Sequence, residues 1–174
     1  MNKLLVTNYI LLRLCEWFYQ LNPEKKSNDL SILKSLKLIF ILSTIRKDQL
    51  GLNLLDHGFT FNAMPYGPVE VDIYREYKNG NLNIISSEGV DFNALKEMSF
   101  GSELGEFKVI IDENLMLLQK ENYYLISNSA SYLVDLTHLF NSWKVNFKRA
   151  KVEGLYSITI PSDEIKEDKQ YFSL

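Results

Sequence analysis

The chain has 174 residues, of which 46% are hydrophobic and 24% charged, with a formal net charge of −3 and a sequence pI near 5.5. These totals are typical of one globular domain with a substantial core. They argue against non-specific nucleic-acid binding, which requires an excess of Lys and Arg to neutralise phosphates. The single cysteine, Cys15, excludes an intrachain disulfide and a multi-cysteine metal site.

The N-terminal quarter predicts two helices. Residues 3–20 carry apolar side chains at helical spacing, and Pro23 ends the pattern. A second, central helix follows, with Ser27 or Asn28 as its N-cap, an all-apolar LIFIL segment and an end near Lys47. No apolar run approaches the ~20 residues that a membrane span needs, so we expect a soluble, cytoplasmic protein.

The stretch FNAMPYGPVEVDIY, residues 61–74, places two prolines and a glycine within four residues. The preceding residues, 59–63, alternate and predict a short strand. Pro68 is well placed as the first residue of a helix, and Gly67 tolerates backbone geometry that other residues do not. We therefore interpret the stretch as a rigid strand-to-helix corner with Tyr66 packed over it.

An alternative gives the same corner a binding role. Tyr66, Pro68, Tyr74 and Tyr77 would then belong to a partner-binding surface, because aromatic side chains are frequent in the energetically dominant parts of interfaces. Tyr77 also fits the core, since it continues an apolar stripe with Val69 at helical spacing. Both interpretations of Tyr77 stay open at this stage.

The remainder of the chain predicts further helices and short strands. Residues 81–86 alternate, which suggests a strand that pairs with 59–63. The segment 86–106 is predicted as a long loop with a helical turn at 93–97. Further elements are helices over 104–124 and 129–141, an extension from 143 to 149, a strand at 155–160 and a short helical piece from 161 to 172. Together these predict one domain, 1–174, of the mainly α (α+β) class: a compact helical bundle with a small antiparallel β element.

Sequence motifs for catalysis are lacking. The chain contains no glycine-rich phosphate-binding loop and no HExxH zinc motif. Its two histidines, His57 and His138, are far apart in the chain, and Cys15 lies in an apolar helical pattern that does not activate a thiol. We predict a protein that is not an enzyme, with no catalytic residue, no cofactor and no bound metal.

A basic cluster follows Trp143. It comprises Lys144, Lys148, Arg149 and Lys151, four cations within eight residues. One interpretation is a solvated helix end, whose cations interact favourably with the helix dipole. The other is a docking patch for an acidic partner or for nucleic acid.

Four segments, taken in order, resemble the Panacea family, the SocA-like or GepA-type phage-associated antitoxin domain. They are Ser35–Leu42 (SLKLIFIL), Phe59-x-Phe-x-Ala63 with Tyr66-Gly67-Pro68-Val69, Leu133-x-x-Leu-Thr-His138 followed by Trp143, and Ile158-x-Ile-x-Ser-Asp-Glu-Ile165 with Tyr171-Phe172. The resemblance covers about residues 5–172. The segment 86–106 departs from the family pattern, and the N-terminal helix is generic.

The resemblance implies a helical domain with a small sheet and no catalysis of its own. Family members are antitoxins that bind and neutralise a protein toxin encoded by an adjacent gene, and SocA-like members also deliver the toxin to a cytoplasmic protease. Gly67, Val69, His138 and Trp143 would be structural signature residues. We expect His138 to tie its helix to a backbone carbonyl and Trp143 to cover the core edge. The alternative function is a small nucleic-acid-binding transcriptional regulator that uses the cluster at 144–151, although the acidic pI makes nucleic acid the less favoured partner.

Overall fold

A computed structural model describes residues 2–172 of the chain. Within them the backbone forms eight α-helices and one three-stranded antiparallel sheet, which confirms the predicted mainly α (α+β) class. The helices are α1 Lys3–Leu21, α2 Ile32–Ser43, α3 Val71–Lys78, α4 Phe92–Glu97, α5 Glu106–Glu121, α6 Ala130–Thr137, α7 Asn141–Val152 and α8 Ser162–Glu167. The strands are β1 Phe61–Met64, β2 Gly67–Glu70 and β3 Ile158–Ile160.

Helix α2 lies at the centre of the hydrophobic core, as the LIFIL segment predicted. The predicted N-cap is wrong: Ser31 caps the helix by accepting a hydrogen bond from the Lys34 amide. Asn28 is buried elsewhere, because its side chain bonds both the amide and the carbonyl of Val90 and thereby anchors a distant loop. The helix also ends earlier than predicted, at Ser43.

The sheet has the order β2-β1-β3, so β1 is the central strand. Its partners are antiparallel on both sides, with Ala63 opposite Pro68 in β2 and opposite Ile158 in β3. The predicted strand at 81–86 is wrong, because both edges of β1 are already occupied. That segment contains turns, and only Ile85 makes an isolated bridge, with Val90.

The predicted strand-to-helix corner is in fact a β-hairpin. Pro68 is not the first residue of a helix but lies in β2, an edge strand, where a missing amide hydrogen is tolerated. Helix α3 begins three residues later, and Glu70 caps it by accepting from the amide of Ile73. The hairpin turn itself consists of Pro65 and Tyr66, because Met64 pairs with Gly67.

The C-terminal helices are shorter than the sequence predicted. Phe140 has extended backbone and separates α6 from α7, so residues 143–149 belong to a new helix rather than to an extension. The Asp168 carboxylate accepts hydrogen bonds from the amides of Asn141 and Ser142, which fixes where α7 begins. Helix α8 ends at Glu167, because the next residue, Asp168, has extended backbone.

Candidate functional site

Tyr66 stands at the tip of the β1–β2 hairpin with 67% of its surface exposed. The prediction that this ring packs over the corner is therefore wrong. A two-residue turn leaves no backbone to fold back over the strands, so the side chain projects into solvent. The hairpin presents one large aromatic ring at a defined place.

Gly67, next to the tip, is required by both conformation and space. Its φ of +90° lies in the region that side chains with a Cβ rarely adopt. A Cβ built there would stand 2.5 Å from Oγ1 of Thr137 and 3.3 Å from Cε and Nζ of Lys37. The predicted conformational role of this glycine is confirmed, and its close approach to α2 and α6 is an additional reason.

Lys37 supports the hairpin from inside the core. Its side chain is fully buried, and Nζ donates a hydrogen bond of 2.7 Å to the carbonyl of Pro68. None of the carboxylates in residues 2–172 forms an ion pair with it. Burial lowers the pKa of Lys37 to about 7, since desolvation disfavours the charged form.

Sequence reasoning missed the role of Lys37, although it lies within the Ser35–Leu42 segment. The available signal was its position in a helix that is apolar on all sides, where a lysine has no polar face to occupy. A lysine in such a place needs a buried acceptor. Which acceptor it finds depends on the hairpin, 31 residues away in the chain.

Trp143 holds the other strand of the hairpin. Its indole Nε1 donates a hydrogen bond of 2.9 Å to the carbonyl of Met64, the last residue of β1. His138 stacks on one face of the indole, with ring centroids 3.9 Å apart and planes inclined by 12°. Phe147 stacks on Trp143 as well, at 5.1 Å. Trp143 thus makes a carbonyl tie that was not predicted, while the predicted tie of His138 to a backbone carbonyl is consistent with the hydrogen bond to the Pro65 backbone, which partly offsets the lowering of the His138 pKa.

His138 interacts with both the hairpin backbone and the buried amine. Burial lowers its pKa most, the charge of Lys37 lowers it further, and interactions with Asp135 and with the Pro65 backbone oppose both. Nε2 of the ring is buried without a hydrogen-bond partner among residues 2–172. The charge of Lys37 therefore disfavours the charged form of His138 under the hairpin.

Tyr74 and Tyr77 lie on α3, which begins at the end of β2 opposite to the tip. Both are partly buried and pack against the core, with their rings stacked 6.4 Å apart. The structure does not stack Tyr66 on either of them. Of the tyrosines predicted as partner-binding, Tyr66 is thus the most exposed.

The basic cluster lies on α7, beyond the aromatic stack. Lys144, Lys148 and Arg149 are exposed, and Arg149 donates to the side-chain oxygen of Asn146 at 2.9 Å. Lys151 extends over the ring of Phe147, with Nζ 4.5 Å from its centroid. Trp143 links this helix directly to the hairpin, so the cluster and Tyr66 belong to neighbouring parts of the molecule.

Two further findings concern cofactors and membranes. In the part of the chain that the structure describes, no three His, Cys, Asp or Glu side chains come close enough to hold a metal ion. Among the helices of residues 2–172, none has the length and apolar character needed to cross a bilayer.

Cys15 is buried, which raises the pKa of its thiol to about 12 and leaves it un-ionised at neutral pH.

Comparison with known proteins identifies no relative: no family model, no curated protein and no solved structure matches the chain.

Proposed function

We propose that this protein is an antitoxin, which binds a protein toxin encoded by an adjacent gene and covers the toxin's active surface in the cytoplasm. The observation that carries the proposal is the supported hairpin. Tyr66 is exposed at its tip, while Lys37 and Trp143 fix the carbonyls of Pro68 and Met64 from the inner side.

A hairpin held in this way suits binding rather than catalysis. An exposed aromatic side chain on a rigid support loses little conformational entropy when a partner covers it. The two bases nearest to it, Lys37 and His138, lie behind the strands, and Nζ of Lys37 is already committed to a carbonyl. We therefore propose no catalytic activity for the protein itself.

The place where the family-like segments meet also supports the proposal. Lys37 comes from the first segment, Gly67 and Pro68 from the second, and His138 and Trp143 from the third. These three segments are distant in the chain and come together around one hairpin. We therefore propose that the three segments act as one unit, with the function that the resemblance to the Panacea family implies.

The test is co-expression of the chain with each adjacent gene, scoring cell growth and co-purification together. We expect one neighbour to be toxic alone, harmless with this protein and retained on it. Tyr66→Ala should lose rescue and retention. Tyr124→Ala removes an equally exposed ring elsewhere and should keep both.

Other outcomes separate the alternatives. Rescue without co-purification would favour delivery of the toxin to a protease, in which case the toxin's lifetime should lengthen in cells that lack the major cytoplasmic proteases. If no neighbour is toxic, the antitoxin proposal is wrong. The exposed cations of α7 then favour the second candidate, a nucleic-acid-binding regulator, whose promoter binding would weaken steeply with salt.

A further inference from the structure

The charged side chains of helix α7 are all positive. Its twelve residues, NSWKVNFKRAKV, include four of the chain's 19 Lys and Arg and none of its 22 Asp and Glu. This occurs in a protein whose net charge is −3. Helix α7 therefore carries a net charge of +4, and the rest of the chain carries a net charge of −7.

Within residues 2–172, the cations of α7 form no ion pair. The ion pairs formed within residues 2–172 involve Lys and Arg from other elements, and none comes from α7. Two carboxylates contact α7 without pairing with its cations: Glu164 accepts from the side-chain amide of Asn146, and Asp168 accepts from the backbone amides of Asn141 and Ser142. The i, i+4 pairs between acids and cations that stabilise many solvated helices are therefore missing from α7.

The exposed face of α7 has an ordered pattern. At 3.6 residues per turn, Val145 and Val152 lie one above the other at its centre. Val145 is 48% exposed and Val152 is 80% exposed. Lys144, Lys148 and Lys151 follow one flank of this apolar ridge, and Arg149 lies on the other. We call this surface, residues 144, 145, 148, 149, 151 and 152, the α7 face.

The apolar ridge extends beyond the helix. Leu155 and Tyr156, in the connection to β3, are 49% and 71% exposed. Because β1 and β3 are antiparallel with Ala63 opposite Ile158, this connection leads into β3 at the end of the sheet where the hairpin turns. Asn62 of β1 donates a hydrogen bond of 3.4 Å to the side chain of Ser157, which also holds this connection against the sheet. The α7 face and Tyr66 can therefore contact one partner.

From this pattern we infer that the α7 face binds an acidic amphipathic helix of the partner protein. Its apolar side chains would cover Val145 and Val152, and its carboxylates would pair with the lysines on one flank and with Arg149 on the other. This inference rests on the proposed function in that the partner is taken to be a protein toxin. Nucleic acid is the less suitable ligand, since a phosphate backbone gains nothing from a ridge of exposed valines, and the acidic remainder of the protein repels it.

The test uses a synthetic probe and does not depend on finding the toxin. The probe is an amphipathic peptide of about 18 residues with leucines on one face and glutamates along both flanks. A second peptide has lysine in place of each glutamate, and a DNA duplex of about 20 base pairs serves as the nucleic-acid probe. Binding is measured by fluorescence anisotropy, and the contact surface is mapped by amide NMR shifts.

We expect the acidic peptide to bind and to shift amides of α7. The triple variant Lys144→Glu, Lys148→Glu, Arg149→Glu should weaken this binding at least about tenfold. The pair Val145→Ser, Val152→Ser, which leaves the charge unchanged, should weaken it about fivefold or more. The matched control changes the same number of charges elsewhere, at three exposed lysines, Lys96, Lys108 and Lys120, and should keep the affinity within about twofold.

Several results would overturn the inference. They are shifts that map away from α7, equal binding of the acidic and basic peptides, no binding of the acidic peptide, or DNA binding tighter than peptide binding and insensitive to the valine substitutions. The co-expression experiment separates this from the antitoxin role. If the triple variant retains the toxin as well as the wild-type protein does, the inference about the α7 face is wrong and the antitoxin proposal stands. If the acidic peptide binds on α7 but no adjacent gene is toxic, the α7 face stands as a binding surface and the antitoxin proposal is wrong.

Discussion

Replacing Lys37 with Met tests the claim that a buried amine supports the hairpin. Methionine has a similar length and flexibility and carries no charge, so the change removes ionisation with little change of shape. It also removes the donor to the Pro68 carbonyl. The loss of this hydrogen bond costs about 1–3 kcal/mol, because it leaves a buried acceptor without a partner.

The pH dependence follows from the shifted pKa of Lys37, which is about 7 in the folded protein against an ordinary value of 10.5. Between these two values the unfolded chain binds one proton more than the folded chain, so the wild-type protein gains stability as the pH rises. The slope is about 1.4 kcal/mol per pH unit, and the whole window amounts to about 5 kcal/mol. The lowered pKa of Lys37 thus reduces the stability of the folded protein. This reduction has vanished above about pH 10.5, and below about pH 7 it no longer grows.

At pH 7 the lowered pKa of Lys37 reduces the stability of the wild-type protein by about 4 kcal/mol. This exceeds what Lys37→Met loses with its hydrogen bond. Lys37→Met should therefore be at least as stable as wild type at pH 7. It should be the less stable of the two above about pH 10.5, where only the lost bond remains. The crossing of the two curves is the characteristic result.

The assay is urea unfolding of both proteins at several pH values between about 7 and 11. Burial raises the pKa of Cys15 and of Tyr9, which reduces stability at alkaline pH. That effect is common to both proteins and cancels in the difference. Lys108→Met, which removes an exposed lysine, should follow the wild-type curve. If the difference between Lys37→Met and wild type does not change with pH, the amine is not held uncharged in the core and the reasoning is refuted.

Three further predictions concern residues around the hairpin. Lys37→Met should raise the pKa of His138 measured by NMR, because the charge of Lys37 is one cause of its lowering; an unchanged pKa would show that the two groups do not interact. Gly67→Ala should cost about 3 kcal/mol in urea unfolding, from backbone strain and a clash with α6, whereas Gly80→Ala, with a similar positive φ and open space, should cost about 1 kcal/mol. Equal costs would mean that the close approach is unimportant. Tyr66→Ala should change the free energy of unfolding by less than about 0.5 kcal/mol, since its ring is exposed, and a larger loss would place that ring in the core.

The helical part of the fold could be predicted because its signals are local. Leu21 ends α1 just before Pro23, and the LIFIL segment of α2 is buried throughout, as an all-apolar pattern requires. The positions of caps were predicted less well, since they depend on distant partners. Asn28 has the chemistry of an N-cap, yet its side chain is used by Val90, 62 residues away.

The hairpin illustrates what local patterns do not resolve. Pro68 followed by an apolar helical stripe is a good signal for a helix start, and it was misleading here by three residues. Residues 67–70 instead pair with β1 as a strand, and the Lys37 amine donates to the Pro68 carbonyl. The local pattern that predicts a helix start contains no information about either contact.

The candidate site was predicted in part. Tyr66, Gly67 and Trp143 were identified from sequence and lie in or against the hairpin. The contribution of Lys37 was missed, because a charged residue in an apolar helix is normally attributed to a solvated face. The cations of α7 were recognised as a cluster, but the valine ridge between them became apparent only when the exposed face of the helix was known.

The most direct test of the central claim measures growth of cells that express a toxic adjacent gene together with this protein or its Tyr66→Ala variant, with protein amounts matched by immunoblot. The account predicts that the wild-type protein restores growth and co-purifies with the toxin. Tyr66→Ala should fold normally and do neither, while Tyr124→Ala should do both. Full rescue and retention by Tyr66→Ala would show that the hairpin tip is not the contact surface. The lack of any toxic neighbour would contradict the antitoxin function itself.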